Sequence, residues 1–133
     1  MLKQYLRTLA ARFSFPLEEK EKPERLFLLT IDEETKLTFI ETSSGFKVSC
    51  AITETPKDLS EELLILLLKA NFLGQGTKGG VIGLSEFETH FLFTKVVDEI
   101  SSDLEFKEMV EDFVNYLNYW KSRINEELQK SHS

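Results

Sequence analysis

The sequence predicts an α+β fold, an antiparallel sheet with helices packed on it, in the order α-β-β-β-α-β-β-α. Near the two ends of the chain apolar residues recur every three or four positions, at Leu2, Tyr5, Leu6, Leu9 and Phe13 and again at Phe106, Val110, Phe113, Leu117, Trp120, Ile124 and Leu128. That is the period of helices with one core-facing stripe. Between them lie short runs rich in β-branched and aromatic residues, separated by turn signals. Links that short join antiparallel neighbours, because parallel strands need a crossover of a dozen or more residues. A block of consecutive apolar residues, Leu63 to Leu68, divides the strands into a set of three and a set of two. With 133 residues, 41% hydrophobic and 29% charged, the chain is expected to be one globular domain over residues 1–133.

The first helix is expected from Leu2 to Phe13, ending before Pro16, since the residue preceding a proline is pushed out of helical geometry. Its Lys3, Arg7 and Arg12, with no acid, also fit an amphipathic organelle-targeting peptide. The core-like stripe and the lack of an uninterrupted apolar segment favour an ordinary helix. The charge run Glu18 to Glu24 reads as a solvated connector.

Three strands follow, Leu26 to Ile31, Lys36 to Thr42 and Phe46 to Thr53, with Asp32-Glu33-Glu34 and Ser43-Ser44-Gly45 as turns. In the third, Phe46, Val48, Cys50 and Ile52 share a face opposite Lys47 and Ser49. The first strand is apolar on both faces: Phe27, Leu29 and Ile31 line one, Leu26 and Leu28 the other. Both of its faces need cover.

The second helix is expected from Leu59 to Phe72, capped by Asp58 or Ser60. Six consecutive apolar residues, Leu63 to Leu68, go right round a helix of 3.6 residues per turn, so it must be buried all round. Leaving about three such side chains in water would forgo roughly 5 to 9 kcal/mol, comparable with the net stability of a whole domain. Either a second subunit covers the far side or the first and last helices do. A glycine loop, Gly74 to Gly80, then leads to strands at Val81 to Leu84 and Thr89 to Val97 and a long helix from Asp103 to Gln129.

Composition excludes several functions. A net charge of -7, from 16 Lys and Arg against 23 Asp and Glu, leaves no broad basic surface for a phosphate backbone, so no nucleic acid partner is expected. No apolar run reaches the ~18 residues of a membrane span. The single Cys50 cannot form an internal disulfide and reads as a small buried hydrophobe; with only His90 and His132 beside it there is no zinc-ligand spacing.

Gly74-Gln75-Gly76-Thr77-Lys78-Gly79 matches G-x-G-x-x-G, but a dinucleotide fingerprint leaves a strand and opens a helix, and here the order is reversed. It fails as a Walker motif too, because Gly80 and Val81 follow where Lys and Ser or Thr belong. The glycines read as a tight turn, with Gly80 and Gly83 permitting close approach of another backbone. Glu86, Glu88, Asp98, Glu99, Asp103 and Glu105 fall in turns and helix starts where solvation accounts for them. His90 has no nucleophile or acid placed with it by a local motif. No catalytic residue, cofactor or metal is expected.

The stretch Ala70-Asn71-Phe72-Leu73-Gly74-Gln75-Gly76-Thr77-Lys78-Gly79-Gly80-Val81-Ile82-Gly83-Leu84 resembles the signature of the class I type III secretion chaperones, the Tir-chaperone type. The small acidic chain, the element order and the long C-terminal helix with Trp120 agree with it. The resemblance implies a homodimer in the bacterial cytoplasm that binds the extended N-terminal segment of an effector without hydrolysing ATP, with the secretion ATPase as a further partner. It places Leu63, Leu64, Leu67, Phe72, Leu73, Val81, Ile82 and Leu84 near the dimer axis. The effector surface falls on the first helix and first strand, at Leu2, Leu6, Leu9, Phe13, Phe15, Leu26 and Leu28. The rival readings are a small ligand- or nucleotide-binding enzyme using the Gly74 to Gly80 loop, and a structural adaptor of the secretion apparatus.

Overall fold

A computed structural model describes residues 1–21, 25–72 and 79–131; Leu73 and the loop positions Gly74 to Lys78 lie outside the described residues. The elements are α1 (Leu2–Phe13), β1 (Leu17–Lys20), β2 (Leu26–Asp32), β3 (Thr35–Glu41), β4 (Phe46–Glu54), α2 (Glu61–Asn71), β5 (Val81–Leu84), β6 (His90–Val97) and α3 (Asp103–Ser131). The fold is α+β with a six-stranded antiparallel sheet in the order β1-β2-β3-β4-β6-β5. The expected helices and five expected strands are present within a few residues of their expected ends.

The first block of strands holds four members, not three. β1 occupies part of the charge run read as a connector, and it pairs Leu17 with Leu29 through Lys20 with Leu26. Its side chains give no apolar alternation: Leu17 is half-buried and Glu18, Glu19 and Lys20 are exposed. Backbone pairing holds it, with Glu19 bonded to Arg7 of α1 at 3.0 Å and 3.8 Å from Lys3. Charged side chains on a short edge strand discourage unwanted pairing.

The chain divides into two compact units, Met1–Cys50 with Lys95–Asp112, and Ala51–Thr94 with Phe113–Ser133. In the first, α1 buries Leu2, Tyr5, Leu6, Leu9 and Ala10. It ends at Ser14, in the left-handed region at φ 56, whose amide returns to the Ala10 carbonyl. Tyr5 stacks on Phe106 at 5.5 Å, and Phe106 lies 5.9 Å from both Phe39 and Phe46. Thus α1 and the start of α3 cover the Phe39 face of this part of the sheet. Cys50 is buried. At the start of α3, Ser102 accepts from the Glu105 amide, while the Glu105 carboxylate accepts from the Ser101 hydroxyl and amide. This is a capping-box arrangement displaced by one residue.

Gly45, in the turn between β3 and β4, has a reason beyond the turn itself. A Cβ there would overlap the carbonyl oxygens of Val97 and Asp98, which are backbone atoms with little freedom to move. Gly45→Ala is therefore expected to destabilise the protein by about 1–3 kcal/mol, read as a lower denaturant midpoint at unchanged slope.

In the second unit, Ser60 caps α2 by accepting from the Leu63 amide at 3.1 Å, and the helix turns Leu63, Leu67 and Ala70 inward. β5 pairs with β6 from Val81 opposite Thr94 to Leu84 opposite Phe91. Phe93 of β6 stacks on Phe113 of α3 at 4.8 Å, and Leu117, Trp120 and Ile124 extend that buried stripe. The glycines differ from expectation. A Cβ at Gly80 would meet the Phe93 ring at 2.7 Å, so it is chiefly a side chain that approaches, whereas Gly83 faces open space.

Candidate functional site

α2 shows how a helix apolar all round divides its residues. Leu63, Leu67 and Ala70 take the inward side, and Leu64, Ile65 and Leu68 are left in solvent, Leu68 at 70% exposure. Positions 64, 65, 68 and 72 fall on one stripe by the three-and-four spacing of a helix, so Phe72, 65% exposed at the C-cap, continues it. Val81 and Leu84 of β5, in the same unit, are exposed as well. A contiguous apolar stripe of this kind marks an interaction surface on a soluble protein.

Of the residues assigned to a dimer interface from the sequence, Leu64, Phe72, Val81 and Leu84 are exposed. Leu63, Leu67 and Ile82 are buried within the protomer, at 1%, 8% and 5% exposure, so they support the exposed side chains from beneath. Leu73 lies outside the described residues. Ile65 and Leu68 extend the same exposed stripe beside Leu64.

On the inner flank of α2, Leu66, Lys69 and Ala70 face Tyr116, Tyr119 and Trp120 of α3 across an open, mainly apolar groove of about 550 Å³. At its end, Asn71 forms two hydrogen bonds with Ile82 of β5: Nδ2 donates to the carbonyl at 2.8 Å, and Oδ1 accepts from the amide at 2.9 Å.

The second surface is in the other unit. Phe13 is exposed at the end of α1, stacked on half-buried Phe15 at 5.6 Å, with the Arg12 guanidinium 5.6 Å and the Lys107 ammonium 5.9 Å from its ring centre. Leu26 and Leu28 are half-buried on the face of β2 opposite buried Phe27 and Leu29. Leu26 stands opposite Ile40 and Leu28 opposite Thr38, so Ile40 joins this apolar outer face. Leu2, Leu6 and Leu9 are core residues, Leu6 with no exposure at all. Their stripe packs into the core of this unit, so of the α1 residues assigned to an effector surface Phe13 is the exposed one. The helix and strand residues are not one continuous patch, since Leu26 and Leu28 lie on the sheet face away from α1.

Polar chemistry is sparse around these surfaces. His90 Nδ1 is 3.0 Å from Thr89 Oγ1, and its amide donates to Ser85 Oγ within the β5 to β6 turn. Hydrogen bonds from the Ser101 hydroxyl, and then from its amide, hold the Glu105 carboxyl below the usual range. The Glu127 carboxyl is lowered chiefly by its hydrogen bond from Arg123. Both are on α3, Glu105 exposed and Glu127 half-buried. Among the described residues, no cluster of His, Cys, Asp or Glu is placed to hold a metal, and no helix is long and apolar enough to cross a membrane.

Residues 4–121 match the model of the Tir chaperone protein (CesT) family. The chain belongs to the Tir chaperone protein (CesT) family. The match runs from α1 well into α3, so the family resemblance carried by Ala70 to Leu84 extends over most of the sequence. The fold of this CesT-family chain is also that of two solved structures. A chain of the ExsC-ExsE complex superposes with a TM-score of 0.73 at 15% identity, covering 91% of each chain. A chain of the heterodimeric ExoU-SpcU complex from the type III secretion system of Pseudomonas aeruginosa gives 0.65 at 13% identity, covering 93% of this chain and 94% of that one. No curated protein matches the sequence.

Proposed function

We propose that this CesT-family chain is a non-enzymatic chaperone of a bacterial type III secretion system, working in the cytoplasm. As a homodimer it holds the N-terminal segment of a secreted effector in an export-competent state. The observation that carries the reading is the apolar surface left in solvent by a chain of net charge -7: the stripe of α2, and separately Phe13 and the outer face of β2. The first is self-complementary in a two-fold dimer, where the same patch serves both partners. The second suits an unfolded segment, which places side chains on apolar patches or adds a strand to a free edge.

Such a client loses conformational freedom on binding, so a long contact over two copies of the surface is needed for useful affinity. Strand β4 and helix α3 contribute residues to both compact units, and the chain is proposed to work as one domain. The secretion ATPase is the further partner proposed for the loaded complex.

Capture from the native cytoplasm tests the function. The bound protein should be a secreted substrate, and limited proteolysis should leave its N-terminal segment protected on the chaperone. Recovery of assembled components of the secretion apparatus with no secreted protein would replace this reading by the adaptor. Calorimetry with ATP and NAD should show no saturable binding, and a clear isotherm with either would return the enzyme reading.

A further inference from the structure

β5 ends the strand order, and among the described residues its strand partner is β6. On an edge strand every second residue turns its amide and carbonyl away from the sheet, and those groups are a template for another strand. Ile82 is such a residue. Its amide and carbonyl are both engaged by the Asn71 side chain and so point away from Phe93, the residue opposite it on β6. The Ser85 amide, three residues on, donates to the His90 carbonyl, which agrees with the alternation.

The side-chain amide of asparagine is chemically a peptide group. With Oδ1 2.9 Å from the Ile82 nitrogen and Nδ2 2.8 Å from its oxygen, Asn71 makes the same pair of bonds that a residue of a neighbouring antiparallel strand would make. It is the last residue of α2, which Leu63, Leu67 and Ala70 anchor in the core of this unit, so the amide is held in place by a packed helix. The described residues of β5 itself do not resist pairing: the strand carries no charged side chain, Val81 and Leu84 are exposed, and the face at Gly83 is open. An apolar edge of this kind in a two-fold assembly is self-complementary, because β5 of one copy runs antiparallel to β5 of another about the axis.

We infer that Asn71 is an edge guard: its side-chain amide fills the strand-pairing position at Ile82 and prevents β5 of a second copy from adding to the sheet there. Contacts of β5 with a second copy are thereby confined to side chains. The inference does not depend on the chaperone reading, since it concerns only this chain's association with itself.

Hydrogen exchange and sedimentation on the full chain test it. In the wild type the Ile82 amide should be protected. In Asn71→Ala, at concentrations low enough for it to keep the wild-type mass, it should exchange about tenfold faster, while the Val81 and Gly83 amides, which face β6, keep their protection. The same variant should form species larger than the wild-type assembly as concentration rises. Adding Gly83→Lys, which puts a charge on the open face of the edge, should remove the species larger than the wild-type assembly. Unchanged Ile82 exchange overturns the inference. So does a wild-type mass for Asn71→Ala across the concentration range, or large species that persist with Gly83→Lys. If circular dichroism shows Asn71→Ala unfolded, Asn71→Leu decides by the same two readings. It keeps the size but offers the Ile82 amide no acceptor and the Ile82 carbonyl no hydrogen.

Discussion

Glutamate at Leu68 is expected to turn an assembled wild-type protein into a folded monomer. Leu68 is 70% exposed at the middle of the α2 stripe, so the substitution leaves the protomer core untouched and the cost falls on association. Covering roughly half of each of the six exposed side chains Leu64, Ile65, Leu68, Phe72, Val81 and Leu84 is worth about 5 to 9 kcal/mol at ~1.5 to 3 kcal/mol for full burial of each. A charge placed in the middle of that patch loses one anchor and must itself be desolvated. The dissociation constant should rise by about 100-fold, or ~3 kcal/mol, read by sedimentation equilibrium with an unchanged circular dichroism spectrum. In a two-fold interface both copies carry the substitution, so each one acts twice and the effect is a lower bound. Leu67→Glu is expected to behave differently. Leu67 is buried in the protomer, so the variant should lose its fold instead of dissociating cleanly. A wild-type protein that is monomeric at tens of micromolar, the range of weak association, would remove the interface altogether.

The contrast between Leu67 and Leu68 marks where sequence reasoning stops. Burial of an apolar face leaves a pattern that marks α1, α3 and five strands, while α2 is marked by its unbroken apolar run. β1 leaves none. Its residues Leu17 to Lys20 are held by backbone pairing to β2 and by the Glu19 ion pairs, neither of which alters the hydropathy of the sequence.

α2 poses the opposite problem. Six apolar positions in succession say that both sides want cover, but carry no moment to say which side faces the protomer. The inward side is set by Leu63, Leu67 and Ala70, and Ala70 is small enough to have gone unnoticed among the leucines. In α1 the stripe of Leu2, Leu6 and Leu9 packs into the core, and Phe13 at its end stays exposed. The two-faced strand was legible, because alternation in β2 separates Phe27 and Leu29 from Leu26 and Leu28 without reference to anything else. Asn71 was visible only as a letter in a family signature, since two hydrogen bonds to a backbone leave no trace in composition or period.

Aspartate at Leu28 is expected to abolish retention of the client while leaving the chaperone folded. Leu28 sits on the outer face of β2, between Thr38 of β3 and Glu18 of β1 and two pairs along from Leu26 and Ile40, and it is half-buried, so the protomer gives up little when it becomes polar. A client side chain lying there would lose its apolar contact and meet a carboxylate that it must desolvate. The affinity should fall by 100-fold or more, about 3 kcal/mol. Phe13→Asp tests the helix side separately. Phe13 is exposed, and the Arg12 and Lys107 charges near its ring would pair with the new carboxylate, so the variant should stay folded and its effect should come from the missing aromatic ring. Because Phe13 and Leu28 are not on one face, the two losses should add if the client wraps over both, since separated sites contribute independently. Leu6→Asp serves as the contrast: a carboxylate at a position with no exposure should unfold the protein, and loss of client there would say nothing about a binding surface. The readings are client retained on co-purification, circular dichroism and mass, taken together for each variant. If Leu28→Asp and Phe13→Asp both keep full client affinity with fold and mass unchanged, the client lies elsewhere on the protein, and the α2 to α3 groove at Leu66, Tyr116 and Trp120 is the next surface to mutate.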